Sequence, residues 1–338
     1  MSEIIDTKKV QELKSKEISK PLVSHMYTAD PSAHVFGGKI YIYPSHDIDA
    51  GIPFNDNGDH FGMQDYHVLS METPDSEAVD HGVALDVKDV LWAERQMWAP
   101  DAAEKEGKYY LYFPAKRKDG IFQIGVAVGD KPEGPFVPQP EAIKGSYSID
   151  PAVFQGDDDQ YYLYFGGIWG GQLQKYRNNK YGESLEEPED GQPALGPIMA
   201  KLNEDMTEFA EEPVELKILD ENGDELLAGD HERRYFEAPW VHKFNGKYYF
   251  SYSTGDTHLI CYAIGDSPYG PFTYQGVVLN PVIGWTNHHS IAQFEGKWYL
   301  FYHDSSLSEG VTHLRSVKMV ELVHNPDGSI QTVDAYQL

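Results

Sequence analysis

Apolar and polar residues alternate in five short segments of the chain: "GGKIYIYPS", "EGKYYLYFP", "DDQYYLYFG", "NGKYYFSYS" and "EGKWYLFYH". Each opens on a Gly or polar turn. Period-two alternation behind such a turn predicts a hairpin entering a strand. With Tyr41, Tyr110, Tyr162, Tyr249 and Tyr299 as markers, the copies lie 69, 52, 87 and 50 residues apart. Further strand-like stretches fill the gaps, for example "FQIGVAVGD" and "HLICYAIGD", each followed by a "PEGPF" or "PYGPF" turn. Helical patterning is confined to residues 6–18. Five β units of at least 50 residues predict an all-β chain folded as a five-bladed β-propeller. A β-sandwich is the alternative, but it gives no reason for a fivefold recurrence.

The domain reading is a single propeller over residues 23–338, preceded by an N-terminal extension, 1–22, that is a short helix or flexible. The two long spacings mark insertions at 48–64 and 176–235, expected as loops on the propeller's faces. They contain "NDNGDH" and "DENGDE", which resemble pieces of a calcium loop. Neither has the twelve-residue ligand spacing, so ordinary turns are expected.

Composition narrows the chemistry. Net charge is −27, from 27 Lys+Arg against 54 Asp+Glu. Such a surface repels phosphate backbones and anionic membranes, so neither nucleic acid nor a membrane is an expected partner. Aromatic residues make up 13% of the chain; they suit strands, and their faces are surfaces on which sugars stack. The single cysteine, Cys261, excludes an intrachain disulfide and any Cys-based zinc cluster, and its alternating surroundings place it in the core. The stretch "MSEIIDTKKVQELKSKEISK" lacks the basic start and apolar core of a signal peptide, and no apolar run reaches membrane-span length. A soluble, cytoplasmic chain is the expectation.

The segments ahead of the five repeats carry the candidate chemistry. "TADPSAHVF", "MWAPDAAEK", "SIDPAVFQ", "FEAPWVHKF" and "NHHSIAQF" align on the following strand, and four of them place Pro at one position. Proline fits the first residue of a strand, where no ladder N–H is needed. The residue before that position is Asp30, Ala99, Asp150, Ala238 and His288, at 11, 11, 12, 11 and 11 residues from the marker tyrosine. Innermost propeller strands run along the central channel, so Asp30, Asp150 and His288 are expected to converge there. Glu237 lies one position earlier, and joining them requires irregular backbone at the strand entry.

Two aspartates and a glutamate in one pocket suit glycosidic bond cleavage. One carboxylic acid protonates the leaving oxygen, a second carboxylate activates water, and a third raises the acid's pKa. Residue types alone do not say which residue takes which role.

The motifs "ADP" at 29–31, "WAPD" at 98–101, "SIDP" at 148–151, "FEAPW" at 236–240, "NHHS" at 287–290 and the late "LRSV…PDGSI" run in order from about residue 25 to the C-terminus. Together they resemble glycoside hydrolase family 43, whose members are five-bladed propellers and inverting enzymes. By this resemblance Asp30 matches the general base, Glu237 the general acid, and Asp150 the residue that tunes and orients the acid. His288 resembles the central histidine that binds a divalent metal, usually hydrated Ca2+, through its water shell; the "NHHS" register favours it over His289. Trp98 looks like an aromatic wall of the sugar pocket, and Arg315 in "LRSV" like a family arginine that reaches the site. Thr257 in "STGDT" is a further candidate for the pocket lining. His46 and Asp47 in "SHDID" either touch substrate or form a turn.

The resemblance implies a β-xylosidase acting on the nonreducing end of xylo-oligosaccharides, with α-L-arabinofuranosidase activity as a companion. The alternatives are an arabinan- or arabinoxylan-debranching α-L-arabinofuranosidase and, from another class, a non-catalytic glycan-binding propeller. A binder has no use for all three carboxylates. Many similar β-xylosidases close the pocket with a C-terminal β-sandwich, which is not expected here because the chain ends soon after "PDGSIQTV". Closure is expected instead from the 176–235 insertion or from a second subunit in a homo-oligomer.

Overall fold

The structure is a computed structural model that describes residues 6–337. Its strands form five blades around a central axis. Blade I comprises Tyr27–Phe36, Lys39–Asp47, Asp65–Met71 and Val79–Asp86, and blade II comprises Asp101–Lys105, Lys108–Lys116, Phe122–Gly129 and Val137–Pro138. Blade III runs Ala152–Gln155, Tyr161–Phe165, Ile198–Lys201 and Val214–Glu215. Blade IV runs Glu237–Phe244, Lys247–Ser253, Ile260–Gly265 and Phe272–Leu279, with Ile218–Leu219 added in parallel at its outer edge. Blade V has His289–Phe294, Lys297–Asp304 and Ser316–Leu322. The five aromatic repeats are the second strands of the five blades. Among the described residues no helix is long and apolar enough to cross a membrane.

The 176–235 segment departs from the expected loop. It supplies the two outer strands of blade III and the edge strand of blade IV. These strands are two to four residues long, too short to show alternation above their acidic surroundings. "NDNGDH" and "DENGDE" are turns: Asn55 Oδ1 accepts from the backbone N–H groups of Asn57 and Asp59, and Asp220 Oδ1 from those of Asn222 and Asp224.

The recurrence of Tyr, rather than Phe, in the second strands has a packing reason. Tyr43, Tyr112, Tyr164 and Tyr252 are fully buried between blades. Each hydroxyl donates to a backbone carbonyl, Pro132 at 2.7 Å, Met206 at 2.8 Å, Pro268 at 2.7 Å and Arg233 at 2.5 Å respectively. Pro132 and Pro268 open the "PEGPF" and "PYGPF" turns, so the tyrosine of blades I and III docks on the turn of the next blade. A buried hydroxyl without such a partner costs about 1–3 kcal/mol, which explains why ring and acceptor recur together.

The innermost strands are stitched into a ring by polar groups. Ser32 Oγ donates to Pro100 O and His34 pairs with Asp101, joining blades I and II. Asp101 accepts from Val153 N, joining II and III, and Asp150 Oδ2 accepts from Ala238 N at 2.9 Å, joining III and IV. Trp240 Nε1 donates to Ile291 O between IV and V, and Ala33 N donates to Ser290 Oγ between I and V.

The two ends of the chain lock this ring. Helix α1, Thr7–Lys14, is capped by the Asp6 carboxylate and buries Val10 against blades IV and V. The following segment lies along the outer strand of blade V, with Leu22 N donating to Val317 O. Fully buried Lys318 donates to Asp304 at 2.9 Å, Ser306 at 2.9 Å and Glu17 at 2.7 Å, while Tyr336 from the C-terminal tail donates to Asp304. Lys318→Ala leaves Asp304 buried without its cation. It is expected to destabilise the fold by about 3–5 kcal/mol, measured as a lower denaturation midpoint in urea. Glu17→Gln, at the more accessible end of the network, should cost clearly less.

Candidate active site

Three of the four Asp-Pro and Ala-Pro junctions at the strand entries adopt an unusual backbone. Asp30, Asp150 and Ala238 have φ of +49°, +57° and +58°, a left-handed conformation that non-glycine residues rarely occupy. The strand pairing shifts register at two of these points, between Ala29 and Ser32 and between Glu237 and Trp240. This kink is the irregularity that the sequence required. It lets Glu237, one position out of register with Asp30, reach the same cavity.

That cavity, of about 710 Å³, lies at the entry end of the inner strands and is lined by Asp30, Asp150, Glu237, His288, Arg315 and Trp98. Six of the nine sequence candidates therefore meet in one place. His289 is fully buried and pairs with Ser251, so His288 is the histidine of the channel. Three candidates fall elsewhere. Thr257 is not in the lining; its hydroxyl donates to His231 O at 2.8 Å and accepts from the Thr254 hydroxyl at 2.6 Å. His46 points to the other face of its strand, where Nδ1 pairs with Asp65 at 2.6 Å. Asp47 sits behind the lining, buried against Arg315.

Arg315 organises the charge. Its Nε and Nη2 form a two-pronged bond with Asp47, at 2.8 and 2.7 Å, and Nη1 reaches Asp30 Oδ1 at 2.9 Å. Ser45 Oγ donates to the other Asp30 oxygen at 2.7 Å, and the Asp30 N–H donates to His303 Nδ1. Burial alone would raise the Asp30 pKa. Arg315, the nearby histidines and the Ser45 hydrogen bond outweigh it and bring the group down to about 2.

Glu237 is in the opposite condition. Burial, reinforced by the Asp30 charge and only partly offset by Arg315, pushes it up to about 8. Asp150 is also pushed up, by burial and by the charges of Glu237 and Asp30. Two close, buried carboxyls resist carrying two negative charges, so the pair retains one proton at neutral pH. Geometry assigns that proton. Asp150 accepts a backbone N–H from Ala238, which favours its anion, whereas Glu237 has no hydrogen-bond or ion-pair partner among the described residues.

His288 Nδ1 stands 3.7 Å from Asp30 and 3.9 Å from Asp150. Burial pushes its pKa down to about 4, so the imidazole is neutral and keeps a free lone pair. No set of three His, Cys, Asp or Glu ligand atoms closes around this point among the described residues. The donor set fits a divalent ion held through its water shell beside one imidazole and two carboxylates. It does not fit a dehydrated Ca2+ in a protein cage of six to eight oxygens.

The walls were largely invisible in the sequence. Phe54, His60, Phe61, Trp169, Phe236 and Trp285 also line the cavity. The 48–64 insertion supplies the first three and closes one side, a role expected of the 176–235 segment or of a second subunit. That segment touches the rim through Glu187, which accepts from Trp169 Nε1. Trp98 is fixed edge-on to Phe61, with its Nε1 donating to Phe61 O at 2.8 Å. A Cβ on Gly58 would lie 2.8 Å from the Trp98 ring, so the loop needs glycine there. The usable signal was aromatic residues in Gly-flanked loops beside the acid-bearing strands, as in "GGIWGG" and "VIGWTNHHS".

Known proteins resemble this chain over most of its length. Residues 18–330 match the model of glycosyl hydrolases family 43. A xylosidase/arabinosidase of Bacteroides ovatus is 62% identical over 314 residues, covering 93% of this chain and 97% of that protein. Xylosidase/arabinosidase 43A of Humicola insolens is also 62% identical, covering 92% and 98%. A calcium-free β-xylosidase/α-arabinofuranosidase of this family from a compost metagenome, solved with xylotriose, superposes with a TM-score of 0.94 at 65% identity, covering 96% of this chain and 99% of that one. A Xanthomonas citri relative solved with xylotriose also gives 0.94, at 62% identity, with 98% of each chain covered. A match across nearly the whole chain, on a five-bladed frame with three carboxyls at its axis, makes this chain a member of glycoside hydrolase family 43.

Proposed function

We propose that the enzyme removes single pentose units from the nonreducing end of xylo-oligosaccharides, as an inverting β-xylosidase that also accepts α-L-arabinofuranosides. The observation that carries this reading is the division of charge within one cavity: a fixed anion at Asp30 and a retained proton at Glu237. Relatives that cover nearly the whole chain carry both activities in their names, and two related structures hold xylotriose. A neutral sugar suits a cavity whose walls are aromatic and whose floor is acidic. Two buried polar atoms of its lining residues, His60 Nε2 and Gln174 Oε1, have no hydrogen-bond partner among the described residues.

In the proposed mechanism Glu237 gives its proton to the glycosidic oxygen as the C–O bond lengthens. Asp30, ionised at every working pH, takes a proton from a water on the opposite face of the ring, and that water bonds to the anomeric carbon. Charge is conserved: Glu237 ends as the anion and Asp30 as the acid, and a proton passes back through solvent. Asp150 keeps Glu237 protonated by repulsion and tethers its strand through Ala238 N. Arg315 and Ser45 hold Asp30 in place. His288, with Asp30 and Asp150 beside it, would hold a hydrated divalent cation, which would supply positive charge to the site. Asp47 positions Arg315 rather than touching substrate.

The roles of acid and base separate experimentally by leaving group. Glu237→Gln is expected to lower kcat/KM on xylobiose by about 10²–10⁴, but much less on 2,4-dinitrophenyl β-xyloside, whose leaving group needs no proton. Asp30→Asn should depress both substrates by similar factors. Equal losses on both substrates in Glu237→Gln would remove Glu237 as the acid.

The pH profile carries its own sign. Catalysis requires protonated Glu237, whose pKa is raised to about 8, so kcat/KM should hold through neutrality and fall about tenfold per pH unit above that value. Removing the Asp150 charge with Asp150→Asn, while leaving a side-chain oxygen for Ala238 N, should shift the alkaline limb to lower pH. An unmoved limb would mean that Asp150 is already neutral in the free enzyme.

A further inference from the structure

Blade I carries a second cluster with ligand chemistry, separate from the catalytic cavity. We propose that His46, Asp65 and His67 form a binding site for a transition-metal ion of the Zn2+ type, which cross-links the second and third strands of that blade.

The three side chains come together through sheet register. Ser45 pairs with Tyr66, which sets His46 opposite Asp65 on the adjacent strand. Asp65 and His67 are two residues apart and share a face. One ligand atom from each of the three lies within 4.8 Å of the others, and the His46 and His67 rings are 4.7 Å apart. Bonds of about 2.0–2.1 Å to a tetrahedral ion would place such atoms roughly 3.3 Å apart. The ion would replace the 2.6 Å hydrogen bond between His46 Nδ1 and Asp65, and side-chain rotation would bring His67 to that spacing.

The surroundings of His67 are an independent indication. Its Nδ1 is hydrogen-bonded to Asp80 Oδ1 at 2.8 Å, and that carboxylate is anchored in turn by Gly82 N at 2.8 Å and His25 Nε2 at 2.9 Å. A carboxylate fixing one imidazole nitrogen directs the lone pair of the other outward, as in histidines that bind metal. With their side chains 14–22% exposed, the three residues leave a path for the ion and room for a water as fourth ligand.

Two imidazoles and one carboxylate select borderline metals such as Zn2+, Co2+ or Ni2+ over Ca2+ and Mg2+, which demand oxygen. The site thus differs in chemistry from the hydrated position beside His288. Its placement gives it a structural consequence. His46 lies between Ser45, which donates to Asp30, and Asp47, which holds Arg315. An ion on His46 would stiffen the strand that supports the proposed base.

The test is metal binding by chelator-stripped protein. Isothermal titration and elemental analysis with Zn2+ should show one equivalent per chain and a higher Tm with Zn2+ than with Ca2+. Co2+ should give the visible absorption of a nitrogen- and oxygen-ligated ion. His67→Ala should lose that equivalent, while His288→Ala should keep it. Asp80→Asn, which leaves all three ligands present, should weaken binding about 10–100-fold. Should a variant fail to fold, the wild-type stoichiometry and the His288→Ala arm still decide. The proposal is overturned if wild-type protein takes up no Zn2+, if His67→Ala binds it unchanged, or if His288→Ala abolishes the equivalent.

Discussion

The catalytic arrangement depends on where one buried cation sits. Arg315 is the guanidinium that reaches into the cavity's carboxyl cluster, and it is committed to Asp47 and Asp30 rather than to Asp150 or Glu237. In a low-dielectric site that placement divides the carboxyls into two classes. The one beside the cation becomes a permanent anion, and the two beyond it must share a proton. The proposed acid and base are thereby distinguished by the position of Arg315, although Asp30 and Asp150 occupy the same place in different blades. Asp47 matters for the same reason: without its two-pronged hold, the guanidinium would be free to turn toward the pair that needs to keep its proton.

The fold makes that asymmetry possible by bringing residues 30, 150, 237, 288 and 315 to one end of the axis. Inner strands alone would not do this, because a regular strand turns neighbouring side chains to opposite faces. The left-handed residues at 30, 150 and 238 break that alternation. The polar ring between blades then holds the unfavourable backbone in place, and one of its links, Ala238 N to Asp150, is itself part of the site. Strain, blade closure and acid tuning therefore meet at the same few atoms.

Much of this was legible in the chain. The aromatic repeats mark the five blades, and the register of the segments ahead of them aligns Asp30, Asp150 and His288. Other features were not legible because they depend on three-dimensional neighbours. The short outer strands of blade III carry too few residues for a periodic signal. Asp47 and His46 are adjacent in sequence, but strand alternation sends one to Arg315 and the other to Asp65, so only one serves the catalytic site. Thr257 follows a Gly-containing turn that directs its hydroxyl back into blade IV. Apart from Trp98 and Phe236, the aromatic walls come from loops that obey no repeat, and sequence spacing cannot say which side of the axis they cover.

A fixed anion and a held proton, with water rather than a carboxylate attacking the sugar, have one direct stereochemical consequence. Proton NMR during the first turnovers on an aryl β-xyloside reads the anomer released before mutarotation. The arrangement of Asp30 and Glu237 predicts α-xylose as the first product. Initial release of β-xylose would mean that a carboxylate had bonded to the anomeric carbon, and would contradict the assignment of Asp30 as a base acting on water.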